Sequence, residues 1–187
     1  GLPSLLLNAP LLAGDAYEVF TNGDVSGGGD RIIGTNYAFL PDGISGDVYT
    51  ASGFVRGGRD SIDGRAGQDQ IAGDVLLMRG GTVWGGSDVI RGGVDSDLIA
   101  GDVLRIQSTG IVGGGSVPPV IDFRGGNDFI YGDSGNDLIA GDILDGAVAT
   151  GSVIVNGNDT IFGGDDDDQI YGDSLLTGFS SPNEPGG

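Results

Sequence analysis

The chain has no cysteine, no histidine and no lysine, one methionine and one tryptophan, and only two glutamates, Glu18 and Glu184, among its 27 acidic residues. Without cysteine there is no disulfide and no thiolate metal site, and without histidine the commonest zinc ligand and general base are gone. All 8 basic residues are scattered arginines against a net charge of −19, so no basic face exists for nucleic acid. No apolar run is long enough to cross a membrane as a helix, and no membrane insertion is expected. Leu5, Leu6, Leu7, Leu11 and Leu12 lack a basic leader and are interrupted by Asn8 and Pro10, so this stretch reads as mature protein. No nucleophile elbow or Ser–His pairing is present, and no enzyme activity is expected.

What the chain does have is 40 glycines and, once the two glutamates are set aside, 25 aspartates. Aspartate has the shorter arm and fits inside tight turns, so this bias places the carboxylates in corners of the fold. The organising stretch runs from Gly125 to Asp142, where GGNDFIYGD is followed by SGNDLIAGD. Each half is a glycine-rich turn ending in Asp, then a short strand with one inward aliphatic residue, Ile130 or Ile139. Such turns aim backbone carbonyls at one point, and Asp128 and Asp137 add carboxylates; oxygen donors of this kind suit calcium.

The pattern persists along the chain. A closing phrase appears at Leu11 to Asp15 and returns at Ile44–Asp47, Ile71–Asp74, Ile99–Asp102, Ile139–Asp142 and Ile170–Asp173, with successive Asp residues 32, 27, 28, 40 and 31 apart. A period in that range predicts stacked coils. Within four coils the aspartates pair nine apart: Asp60 and Asp69, Asp88 and Asp97, Asp128 and Asp137, Asp159 and Asp168. Ile62 and Ile71, Ile90 and Ile99, Ile130 and Ile139, and Ile161 and Ile170 keep the same step and form the expected inner stripe. The first coil is worn, with Asp30 and Ile32 answered twelve residues on by Asp42 and Ile44, after Pro41. Between coils lie connectors, Ala16–Ser26, Val48–Arg56, Val75–Trp84, Val103–Arg124 and Ile143–Val155, whose β-branched content predicts a third strand, or a hairpin where the connector is long, the alternative being loops that bulge from a two-sheet roll.

The candidate metal ligands follow from this register. A ladder of like carboxylates at strand spacing repels itself unless cations sit between the rungs. The main set is Asp30, Asp42, Asp60, Asp69, Asp88, Asp97, Asp128, Asp137, Asp159 and Asp168, and the corner set is Asp47, Asp74, Asp102, Asp142 and Asp173, with Asp133 added. Asp166, within the run Asp165–Asp168, stands in a glycine position, and Asn127, Asn136 and Asn158 precede ligand aspartates at turn positions that tolerate left-handed backbone. Arg56, Trp84, Arg124 and Val155 precede the first glycine of successive coils and can stack as a cation–π ladder.

Gly132–Ala140 fills all nine places of the pattern G-G-x-G-x-D-x-U-x, with Asp133 in the second glycine's place, and so resembles the RTX calcium-binding nonapeptide repeat. The resemblance implies a parallel β-roll in which six residues make each calcium-binding turn and three make each strand, with ions shared between adjacent coils. The connectors are the main departure from that family.

The expected fold is an all-β parallel solenoid of about five coils with an extra strand or hairpin connector per coil. It forms a single domain over 1–187, with a lead-in over 1–26, coils over 27–173 and a tail over 174–187. The expected function is a secreted calcium-binding structural or assembly module, with several Ca2+ ions and calcium-dependent folding. It would lie outside the cell, at a bacterial surface or matrix, and self-associate head to tail as a filament or surface layer. The alternative is a non-catalytic RTX module of a larger secreted enzyme or adhesin. Ice binding is disfavoured because Thr50, Thr82 and Thr109 stand at irregular offsets from their corner aspartates, and Tyr49, Trp84 and Phe123 are too few to decide for sugar binding.

Overall fold

The computed structural model describes residues 11–107, 110–112, 115–176 and 179–180. Among these there is no helix: short parallel strands stack coil upon coil into a β-solenoid of about five turns. The segment Leu2–Leu7 and Thr109 lie outside the described residues.

Each coil has four sides. A first sheet stacks Arg31–Ile33, Ser61–Ala66, Val89–Val94, Phe129–Ser134 and Thr160–Asp165, and a second stacks Leu11–Ala13, Gly43–Ser45, Gln70–Ala72, Leu98–Ala100, Leu138–Ala140 and Gln169–Tyr171. These are the repeat strands, in the register the nine-residue step demands: Ile32, Ile62, Ile90, Ile130 and Ile161 align on one sheet, and Leu12, Ile44, Ile71, Ile99, Ile139 and Ile170 on the other. The isoleucines from Ile44 to Ile139 form one buried column between the two sheets. Ile170 keeps the register but is 46% exposed, because no rung beyond it covers that side among the described residues.

The connectors contribute two strands per coil instead of one. Ala16–Val19, Val48–Ala51, Val75–Met78, Val103–Ile106 and Ile143–Asp145 stack as a third sheet, and Asp24–Ser26, Phe54–Arg56, Gly81–Trp84, Ile121–Arg124 and Val153–Val155 as a fourth. A bend divides each connector. In the Val75–Trp84 connector it falls at Gly80 and Gly81, both at positive φ (146° and 86°), which β-branched residues cannot adopt without strain. The longest connector adds the expected hairpin, with Gly110–Val112 antiparallel to Gly115–Val117.

This second pair of sheets gives the solenoid more than a thin stripe. Val48, Val55, Val75, Met78, Val83, Val103, Phe123 and Ile143 are all fully buried in a second core between the third and fourth sheets. A third cluster lies where the second and third sheets meet: Tyr49, Leu76, Leu104 and Leu144 pack on Ala72, Ala100 and Ala140. Alternation along the third-sheet strand explains both, since Val75 and Leu76 point to opposite faces and each finds apolar cover. On the outer surface the Arg56–Trp84–Arg124–Val155 row aligns as expected, with the guanidinium carbons of Arg56 and Arg124 at 4.8 and 5.3 Å from the Trp84 ring centre.

Candidate metal centre

Two kinds of turn carry the aspartates. The closed turns, Gly64–Asp69, Gly92–Asp97, Gly132–Asp137 and Gly163–Asp168, join the first sheet to the second in six residues. Their second and fourth positions are all left-handed: Arg65, Gly93, Asp133 and Gly164 at φ 71–117°, and Gly67, Asp95, Gly135 and Asp166 at φ 77–138°. Asp166 therefore does occupy a glycine-like position. Asn127, Asn136 and Asn158 do not; among the described residues the positive-φ side-chain-bearing positions are Arg65, Asp95, Asp133 and Asp166. The asparagines serve as rungs: Asn127 Oδ1 accepts from Asn158 N–H and Asn136 Oδ1 from Asp167 N–H, each at 2.9 Å.

The opposite turn is split. Gly73-Asp74 opens it, the connector leaves and returns, and Gly85-Gly86-Ser87-Asp88 finishes it. The corner aspartate spans the gap, accepting backbone N–H bonds from the returning glycines: Gly58 to Asp47 at 3.0 Å, Gly86 to Asp74 at 3.1 Å, Gly126 to Asp102 at 3.1 Å and Gly157 to Asp142 at 2.7 Å. Asp47, Asp74, Asp102 and Asp142 are wholly buried by this closure.

The repeat aspartates, Asp42 and Asp168 apart, divide their two oxygens between different tasks. Oδ1 accepts from the backbone N–H of the aspartate one coil earlier: Asp30 to Asp60, Asp60 to Asp88 and Asp88 to Asp128 at 2.7 Å in the split-turn column. In the closed-turn column Asp42 donates to Asp69 at 2.7 Å, and Asp69 to Asp97 and Asp97 to Asp137 at 2.8 Å. Oδ2 is buried without any hydrogen-bond partner in Asp30, Asp60, Asp88, Asp128 and Asp159 of one column and in Asp69, Asp97 and Asp137 of the other. Leaving a buried carboxylate oxygen unpaired is costly, and here the cost repeats on every coil.

These orphaned oxygens face backbone carbonyls. A Cβ added at Gly46 would collide with both the Gly73 carbonyl and Asp60 Oδ2, and the same pair recurs at Gly73 with the Gly101 carbonyl and Asp88 Oδ2. Carbonyl and carboxylate oxygens thus converge where only glycine leaves room. An all-oxygen, multiply carboxylate donor set of this kind fits a hard divalent cation of calcium's size. Among the described residues, Asp15, Asp30 and Asp47 bring carboxylate oxygens within 4.8 Å of one another. Asp15 was not among the sequence-derived ligands, although its signal, the opening Leu11–Asp15 phrase, is legible.

Burial, reinforced by neighbouring carboxylates, drives the aspartates toward their protonated forms in the absence of a cation. Desolvation pushes Asp88 and Asp97 up to about 9, Asp47, Asp69 and Asp128 to about 7, and Asp60, Asp137 and Asp142 to about 6, while Asp74 and Asp102 lie well above the ordinary value.

Four candidates stand apart. Asp133, at a left-handed φ, is turned outward and part-exposed with Arg91 Nη1 at 3.4 Å, and it acts on Asp137 of the column only through space. Asp42 is partnered within its own long turn by the backbone N–H and hydroxyl of Thr35. In the last coil Asp173 lies exposed, and Asp168 is half-buried, its Oδ1 accepting from the Asp137 N–H at 3.0 Å.

The model of the RTX calcium-binding nonapeptide repeat family matches in four copies, at residues 54–75, 85–103, 124–146 and 156–174. These four segments are repeats of the RTX calcium-binding family. The matched segments stop and restart around connector residues, so the repeats surround what the family pattern lacks. No curated protein and no solved structure matches the chain. These RTX repeats make the chain a calcium-binding module with a structural fold.

Proposed function

We propose that this RTX chain is a secreted, non-catalytic structural module whose folding is completed by several calcium ions. The observation that carries the reading is the row of buried, unpartnered aspartate Oδ2 atoms on successive coils. Asp30, Asp60, Asp88, Asp128 and Asp159, with the corner aspartates Asp15, Asp47, Asp74, Asp102, Asp142 and Asp173, would hold ions along the split turns; Asp42, Asp69, Asp97, Asp137 and Asp168 would do so along the closed turns. Calcium supplies the positive charge that lets these carboxylates stay ionised side by side. The protein's own part is to aim the oxygens and to exclude water from them.

Repeats of this family are typical of secreted bacterial proteins, which supports an extracellular setting at a cell surface or matrix, where calcium is abundant. We read 1–187 as one domain. The exposed edges at Thr160–Asp165 and Gln169–Tyr171 favour head-to-tail association with the Arg31–Ile33 and Leu11–Ala13 edges of a second copy. The third sheet is less open there, because Leu175 N–H donates to the Ile143 carbonyl at 2.7 Å and Leu176 packs against the second core. Association through the two repeat sheets would build a filament or layer. The same edges equally suit a module continued by further chain in a larger enzyme or adhesin.

Elemental analysis of the purified chain after dialysis against trace calcium tests the central reading. Several calcium ions per chain are expected; a metal-free, fully folded protein under those conditions would overturn it.

A further inference from the structure

The two columns are not alike, and we infer that they load in order: the split-turn column, carrying two carboxylates per coil, takes calcium first and holds it through the corner aspartates Asp47, Asp74, Asp102 and Asp142. This inference rests on the calcium reading above and adds to it an order and a set of residues.

The closed-turn column offers one aspartate per coil, Asp69, Asp97 or Asp137. The other carboxylates of its turns are not buried: Asp95 and Asp165 to Asp167 are exposed, Asp133 faces Arg91, and Asp95 and Asp133 act on Asp69, Asp97 and Asp137 only through space, while in the first coil Thr35 already partners Asp42. The split-turn column offers both a repeat aspartate and a corner aspartate on every coil, and the corner side chains form a continuous row. Asp47 lies within hydrogen-bonding range of Asp15 and Asp74, and Asp102 within range of Asp74 and Asp142. Of that row, Asp47 Oδ1 and Asp142 Oδ2 are fully buried and unpartnered, as are the Oδ2 atoms of Asp60, Asp88 and Asp128 beside it.

Charge counting then separates the columns. Counting buried carboxylates alone, one divalent ion per coil is neutralised in the split-turn column, whereas the closed-turn column balances only half of its charge and leaves the rest to exposed aspartates. Calcium affinity is set by the number of charged ligands and by the rigidity of the site. Both favour the split turns, whose corner carboxylates are already fixed by the N–H groups of Gly58, Gly86, Gly126 and Gly157.

The position of the sole tryptophan makes the order measurable. Trp84 immediately precedes Gly85 and lines an open cleft with Gly57, Gly58, Gly85 and Gly86 of the split turns. Terbium, a calcium-like probe, emits when a nearby excited tryptophan transfers energy to it, and the transfer falls steeply with distance. Titrating metal-free full-length chain with terbium under tryptophan-selective excitation should give sensitised emission from the first equivalents. Calorimetric titration with calcium should resolve a tighter and a weaker class. The double variant Asp74→Asn/Asp102→Asn should weaken the tighter class by ~tenfold or more, and Asp69→Asn/Asp97→Asn should weaken only the other. First terbium equivalents that bind silently, or an Asp74→Asn/Asp102→Asn isotherm identical to that of the parent, would overturn the order. Absence of any calcium or terbium uptake would instead overturn the calcium reading itself. The terbium experiment needs no variant, so it decides the matter even if a double variant fails to fold.

Discussion

The backbone N–H of Asp60 donates to Oδ1 of Asp88 at 2.7 Å, while Oδ2 of the same Asp88 is buried with no partner. One oxygen ties two coils together and the other is left for a cation, so coil stacking and ion binding share a side chain. Removing the cation leaves facing carboxylates that repel through a poorly screened interior, in a glycine-rich chain that is costly to order. Excess chelator at neutral pH should therefore abolish the β-sheet circular dichroism and the cooperative melt, and added calcium should restore both. A full β signal in chelator would contradict this.

Acid should act oppositely on the metal-free and calcium-loaded chains. The repeat aspartates have folded-state values raised from 3.8 to about 6 for Asp60 and Asp137, about 7 for Asp69 and Asp128, and about 9 for Asp88 and Asp97. Raised values mean that the metal-free fold keeps its stability below the ordinary aspartate value and loses it as the pH climbs through the raised ones. In chelator, the β signal should be stronger near pH ~4 than near pH ~8. With calcium the trend reverses, because protons compete with the ion for the same oxygens. Circular dichroism at the two pH values, with and without calcium, checks the change of sign.

Ile130 stacks between Ile90 and Ile161 and is fully buried. Ile130→Asp puts an unpaired charge there and should cost several kcal/mol, on the scale of a small domain's whole stability. Ile130→Val should cost only ~1 kcal/mol. Calcium-saturated thermal melts of the two variants distinguish a stacked column from a surface position.

Phe123 tests the connectors. It is fully buried in the core between the third and fourth sheets, and Phe123→Ala should destabilise the chain by ~3–5 kcal/mol. If the connectors were loose loops the change would be within ~0.5 kcal/mol. Denaturation in saturating calcium gives the answer.

Head-to-tail association predicts a light-scattering mass that grows with protein concentration in millimolar calcium and falls in chelator. A chain that stays monomeric at high concentration in calcium would exclude the filament.

The repeat half of each coil was legible because it is periodic: a fixed step of nine fixes which face each Ile and Asp takes, and Ile62, Ile90 and Ile130 align as that step requires. The connectors were only half legible. Their lengths differ and they hold no common period, so Val75–Met78 and Gly81–Trp84 become separate strands through pairing with neighbouring coils, which no local pattern displays. The same holds for the site. The repeat aspartates could be read in sequence, but the grouping of Asp15 with Asp30 and Asp47 exists only across coils, and the outward turn of Asp133 depends on a backbone angle and on Arg91 from the preceding coil.

The bond from corner aspartate to returning glycine is indifferent to how much chain lies between them. It spans 11 residues from Asp47 to Gly58, 12 from Asp74 to Gly86, 15 from Asp142 to Gly157 and 24 from Asp102 to Gly126, yet closes with distances of 2.7–3.2 Å throughout. Because the entropy of closing a loop grows only slowly with its length, an excursion can lengthen at this point at small cost. The solenoid therefore has room for added chain on its connectors: sequence inserted at the bend between the third-sheet and fourth-sheet strands, where the Gly110–Val112 and Gly115–Val117 hairpin already sits, leaves the paired strands and their core in place.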